Sequence, residues 1–178
     1  VYDVPAEKLK KTGMSPKEQF RQFFKSLNEN IYTEEFGDVS LQNSSVKSEV
    51  RHGITAEKIA SIEAIPAVLK NGMVVFSERK NNSDVERIVV SAPIRIGETP
   101  YLMGVMLQRD QQHQRLYLHN VVIEKEASSS SQADSLTNWA LEENDTLFIT
   151  SILQKVLHVK NQYMATDTRS IRETGAAG

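Results

Sequence analysis

The sequence has no cysteine. That excludes disulfides, thiolate zinc sites and a cysteine nucleophile together. It leaves the compartment open, because a cysteine-free chain also suits a protein that must unfold to cross a membrane. Long apolar runs are missing too, with nothing near the roughly 18–20 apolar residues that span a bilayer. The start, Val1-Tyr2-Asp3-Val4-Pro5, leads into lysines rather than an apolar stretch, so no signal peptide is expected. A start without Met suggests a piece excised from a longer chain. Nor does one sign of charge dominate: 21 Lys and Arg against 23 Asp and Glu give −2. This disfavours a nucleic-acid coat protein and would require an RNA-cutting enzyme to cluster its basic groups locally. A phosphate loop, a dinucleotide glycine pattern, His-Glu-x-x-His, Gly-x-Ser-x-Gly and clustered metal-ligand spacings are all absent, so neither cofactor nor metal is expected.

With 178 residues the chain can bury a real core in one domain with an extension. Residues 1–13 are polar and end in Gly13, as a leader or short capping helix would. Ser15-Pro16-Lys17-Glu18 then combines an N-cap serine, proline at the first helical position and glutamate three residues after the cap. Phe20, Phe23, Phe24, Leu27 and Ile31 follow at helical spacing, which predicts an amphipathic helix to about Asn30, its aromatic stripe in the core. Gly37-Asp38 reads as a turn into a short strand at Val39-Ser40-Leu41. Asn43, Ser44 or Ser45 can cap a brief helix carrying Lys47, Arg51 and His52 and ending at Gly53. Thr55 caps another, with Ile54 and Ile59 placed as a hydrophobic staple. Pro66 interrupts, and Asn71-Gly72 ends a further turn.

From Met73 the period changes. Met73 to Ser77, Arg87 to Ile96, Tyr101 to Leu107 and Leu116 to Ile123 read as strands, with Gly97-Glu98 a tight hairpin turn. In the last of them Tyr117, His119, Val121 and Ile123 are expected on one face. Residues 127–132 hold a serine run and read as a loop. Ser151-Ile152-Leu153-Gln154 matches a capping box for a closing helix to about His158. The sum is an α+β layout, helices before a meander of three or four antiparallel strands.

Arg51-His52-Gly53 to Ala60, then Ile65-Pro66, Leu69 and Asn71-Gly72, the hairpin from Ala92-Pro93-Ile94 to Tyr101, and Tyr117 to Val121 form an ordered series. Val39 to Leu41, Ser45 to Lys47 and Ser151 to Leu153 extend it. Together these segments resemble the phage-associated and polymorphic-toxin members of the barnase–EndoU–colicin–RelE nuclease superfamily, across roughly residues 38–160. The resemblance implies N-terminal helices packed on a four-stranded (three to five) antiparallel meander, closed by a C-terminal helix. It divides the chain into a helical extension (1–37), a nuclease domain (38–160) and a weakly structured tail (161–178). It further implies a metal-independent RNA endonuclease toxin, acting on RNA such as tRNA and leaving a 2′,3′-cyclic phosphate. Such a toxin is delivered as part of a larger protein to the cytoplasm of a target bacterium and neutralised by an immunity protein.

On that reading the catalytic set is His52, Lys47, His119 and Ser151, and the substrate-binding set is Arg51, Arg109, Tyr117 and Thr150. Histidine titrates near working pH, so His52 and His119 suit acid and base roles. Lys47 would neutralise the scissile phosphate. Arg51 and Arg109 would contact phosphate, and Tyr117 would stack on or hydrogen-bond RNA. Thr150 and Ser151 would hold phosphate at a helix N-terminus. Each residue also has a plain structural role open to it: carbonyl capping for Arg51 and His52, solvation for Lys47 and Arg109, sheet packing for Tyr117, a satisfied surface position for His119, helix capping for Thr150 and Ser151. Two other functions stand beside the nuclease. One is a non-enzymatic interaction or accessory domain of a phage or secretion-associated polyprotein, which the acidic balance and missing motifs favour. The other is a toxin acting on a nucleotide such as NAD.

Overall fold

The computed structural model of the chain describes residues 1–10, 12–41, 55–79, 85–110, 115–126 and 145–174. Among them run β1 (Tyr2–Val4), α1 (Pro16–Ser26), β2 (Asn30–Thr33), β3 (Gly37–Ser40), α2 (Ala56–Ser61) and α3 (Ile65–Asn71). Then come β4 (Met73–Arg79), β5 (Val85–Ile96), β6 (Thr99–Asp110), β7 (Arg115–Lys125) and α4 (Asp145–Thr174).

The two strongest capping signals act as their chemistry requires. Ser15 Oγ accepts from the Glu18 N–H at 3.2 Å, and Thr55 Oγ1 accepts from the Lys58 N–H at 3.2 Å. Helix α1 ends earlier than its stripe suggests. Asn28 and Glu29 both take φ of 55°, and the Glu29 N–H bonds the Phe24 carbonyl at 2.8 Å. That left-handed pair turns the chain, so Ile31 is buried from strand β2 instead of from the helix. Asparagine adopts this region readily, whereas at Glu29 it costs on the order of 1 kcal/mol.

Strands β4 to β7 form the expected antiparallel run. The sheet, however, is larger and mixed. Its order is β1-β5-β6-β7-β3-β2, with β4 also on β5, and it curls into a half-barrel. β1 lies parallel to β5 (Tyr2 opposite Ile94) and β3 parallel to β7 (Val39 opposite Leu116), with β2 antiparallel on β3. This corrects the four-stranded antiparallel meander. β1 has three residues and β2 and β3 four each, too few for alternation to register. Their parallel partners also lie far along the chain. β1, α1 and β2 thus belong to the same sheet and core as the strands after residue 38.

Each face of the sheet is covered by its own layer. Phe20 and Phe24 of α1 and Ile65, Val68 and Leu69 of α3 pack with Ile88, Val90, Ile94, Met103, Val105, Leu107, Leu116, Leu118 and Val121. On the opposite face Ile149 and Leu153 of α4 pack on Val89, Leu102, Met106 and Val122. Phe148 meets Phe76 edge-on there, with centroids 4.9 Å apart. Gly104 makes this closeness possible: a Cβ on it would stand 2.9 Å from Ile149 Cγ2 and 3.0 Å from Leu153 Cδ2.

Helix α4 departs from expectation at both ends. It begins six residues before Ser151 and continues through Thr174, where a tail was expected from 161. No helix among the described residues is long and apolar enough to cross a membrane.

Ser91, paired across strands with Gly104, is 5% exposed, and its hydroxyl has no hydrogen-bond partner among the described residues. A buried hydroxyl without a partner retains its desolvation cost and returns nothing for it. Ser91→Ala is therefore expected to leave stability unchanged or raise it by about 1 kcal/mol. Urea denaturation checks this, and a loss of that size instead would mean the hydroxyl is bonded in solution.

Candidate functional site

The path of β7 decides where the proposed site residues point. Leu118 pairs with Leu107 and Asn120 with Met106, so His119 is an extra residue bulged out of the ladder. A bulge reverses the alternation of side chains beyond it. Leu116 and Leu118 before it, and Val121 after it, all reach the main core, while Val122 faces α4. Tyr117, His119, Val121 and Ile123 therefore do not share a face, which corrects the simple alternation expected of this strand.

Tyr117 lies on the α4 side. Its hydroxyl donates to Gln108 Oε1 at 2.7 Å, and its ring meets that of His119 edge-on, with centroids 6.3 Å apart. Gln108 is 7% exposed, and Tyr117 and His119 are half-buried. The register extends this pair into a row across the sheet: Glu78, Arg87, Gln108, Tyr117, Ser40 and Asn30 stand opposite one another on six adjacent strands. Toward the β2 edge the row opens to solvent. There Asn30 Nδ2 donates to Asp38 Oδ1 at 2.8 Å, and Tyr32 is 63% exposed. This polar and aromatic half-face, from Gln108 to Tyr32, is the candidate site. Its groups hydrogen-bond and stack, and they are held by strands instead of loops.

The expected constellation is only partly assembled here. The structure brings Tyr117 and His119 together. It puts Arg109 on the opposite face, where its Nε bonds Glu86 Oε2 at 3.0 Å on the neighbouring strand. Thr150 and Ser151 are the sixth and seventh residues of α4, so they lie within the helix and not at its N-terminus. The free N–H groups that bind phosphate belong to the first turn, ahead of both. Lys47, Arg51 and His52 lie outside the described residues. Among the described residues no group of three or more His, Asp or Glu could hold a metal.

Gln108, Ser40, Asn30, Asp38 and Tyr32 were not identified from the sequence. The signal for Gln108 was present, since it sits opposite Tyr117 across a hairpin whose strands were both expected. The other four become neighbours of Tyr117 only through the parallel β3–β7 pairing, which no local pattern announces.

Residues 15–117 match the model of a family described as Large polyvalent protein-associated domain 3. No curated protein and no solved structure matches the chain. Neither this family nor the mixed seven-stranded sheet agrees with the nuclease-superfamily resemblance. The terms that came with it (toxin, nuclease, ribonuclease, hydrolase, tRNA, contact-dependent growth inhibition, immunity protein and the superfamily's fold) are accordingly withdrawn as descriptions of the chain.

Proposed function

We propose, from the premise that this chain belongs to the large polyvalent protein-associated domain 3 family, that it is a non-enzymatic interaction domain carried within a large multidomain protein. The family's description associates such domains with large polyvalent proteins, and a binding module carried by such a protein needs a rigid presenting surface more than a reaction centre. The observation that carries the reading is the scatter of the described catalytic candidates. Arg109 is paired on the far face, Thr150 and Ser151 sit within a helix, and Tyr117 and His119 make up a half-buried pair beside Gln108. Cleaving a phosphodiester without a metal requires an acid and a base on opposite sides of one phosphate, with cations around it. An amide, a phenol and an imidazole on a sheet face are better suited to recognition, since strands fix their spacing and little order is lost on binding.

The test is incubation of the 178-residue chain with total RNA in EDTA, alongside its expression in bacteria. The expected outcome is intact RNA and unimpaired growth. Cleavage that His119→Ala or His52→Ala abolishes would overturn the reading in favour of a metal-independent ribonuclease.

A further inference from the structure

Strand β2 is one outer edge of the sheet. The phase of its ladder follows from one bond: the Leu41 N–H donates to the Glu29 carbonyl at 2.9 Å. Antiparallel pairs alternate, so residues 29, 31 and 33 bond inward to β3, while the main-chain groups of Asn30 and Tyr32 face outward. The Asn30 N–H is used by the Leu27 carbonyl at 3.3 Å. The Tyr32 N–H, the Tyr32 carbonyl and the Asn30 carbonyl remain at the edge, without a partner among the described residues.

The chain segment that forms this edge carries one sign of charge. Between Lys25 and Lys47 the chain carries Glu29, Glu34, Glu35 and Asp38 and no Lys, Arg or His. All four carboxylates are exposed, and none forms an ion pair with another described residue. Tyr32 projects its ring from the same edge at 63% exposure. The hairpin is also fixed before any partner arrives, because the turn at Asn28 and Glu29 ties it to α1 and Ile31 and Val39 anchor it in the core.

We propose that β2 is a docking edge for an extended, arginine-bearing polypeptide segment, an inference that rests on the binding-module reading and names its partner. Only an extended strand presents a carbonyl and an N–H at the spacing the Tyr32 main chain needs. Arginine on alternate positions then reaches the Tyr32 ring face and the carboxylates of Glu34, Glu35 and Asp38 together. Nucleic acid is the wrong sign for this edge, since its phosphates would meet four carboxylates.

Fluorescence anisotropy on the 178-residue chain decides the matter. The probes are a short labelled peptide alternating arginine and valine, the matching glutamate–valine peptide and a single-stranded RNA oligonucleotide. The arginine peptide is expected to bind, more weakly as salt rises, while the other two do not. Substituting Glu34→Gln with Glu35→Gln is expected to weaken binding about tenfold, and Tyr32→Ala by a similar factor. Tyr32→Pro removes an outward N–H at an edge position where proline is tolerated, and is expected to weaken binding with little change in melting temperature. The inference is overturned if the glutamate peptide binds equally, if RNA binds instead, if the chain self-associates through this edge, or if these variants bind the arginine peptide unchanged. A chain that degrades RNA in EDTA defeats the binding-module reading. One that leaves RNA intact and ignores the arginine peptide defeats this inference alone.

Discussion

Replacing Gly104 with valine is expected to lower the free energy of unfolding by about 3 kcal/mol. The sign is informative, because valine suits a strand far better than glycine does and on propensity alone would stabilise β6. Steric fit opposes it. The first added carbon already stands 2.9 Å from Ile149 Cγ2 and 3.0 Å from Leu153 Cδ2, and both side chains are fully buried, so they or the helix that carries them must shift to admit the two methyl groups beyond it. The expected response is that helix α4 shifts away from β6 and loosens the edge-to-face contact of Phe148 with Phe76. Urea denaturation measures the loss, and hydrogen exchange should locate it in α4, with the main-core strands still protected. Leu153→Ala in the Gly104→Val background should recover part of the loss, since it removes one of the colliding groups. A Gly104→Val protein as stable as its parent, with α4 equally protected, would mean that the helix does not sit on β6 as described.

Phe20→Ala should cost more, about 4 kcal/mol. Phe20 is 1% exposed and packs edge-on to Phe24, with centroids 6.1 Å apart, within the main core cluster. Its loss removes a whole aromatic ring from the buried cluster and leaves a cavity that neighbouring side chains fill only in part. Phe23→Ala is the control, since Phe23 is only partly buried at the margin of the same cluster. An effect of about 1 kcal/mol is expected there. Thermal and urea melts of the pair should separate clearly; similar losses would place the centre of the core elsewhere on α1.

That pair also marks how far the sequence could be read. The five-residue apolar stripe located α1 and its core face, but helical spacing cannot rank Phe20 above Phe23, because the ranking depends on what the opposing layer presents. It also assigned Ile31 to the helix, since two consecutive left-handed residues, neither of them glycine, leave no compositional mark. Strands β4 to β7 were legible because alternation and turn residues are local. The joins β1–β5 and β3–β7 were not, because each pairs a short strand with a partner roughly ninety or eighty residues away. The site suffered from the same gap. Tyr117 and His119 were found on their strand, but one bulge at His119 reversed the face of everything after it. Arg109 looked available because its partner, Glu86, lies 23 residues earlier, on the adjacent strand β5. Thr150 and Ser151 looked like a helix start because a capping-box pattern also occurs by chance within helices.

The pairing of Tyr2–Val4 with Ile94–Ile96 has a consequence for how the chain is made. A ribosome adding about 5–20 residues per second takes roughly five to twenty seconds to supply the partner strand after Val4 emerges. Through that interval Val4 and the apolar face of α1 have no sheet to rest on. Charged residues flank them, Lys8, Lys10, Lys17 and Lys25 with Glu7 and Glu18, and charge of this kind opposes association of an unfolded segment. Neutralising those lysines should leave the finished fold nearly as stable while lowering the fraction of newly made chains that reach it.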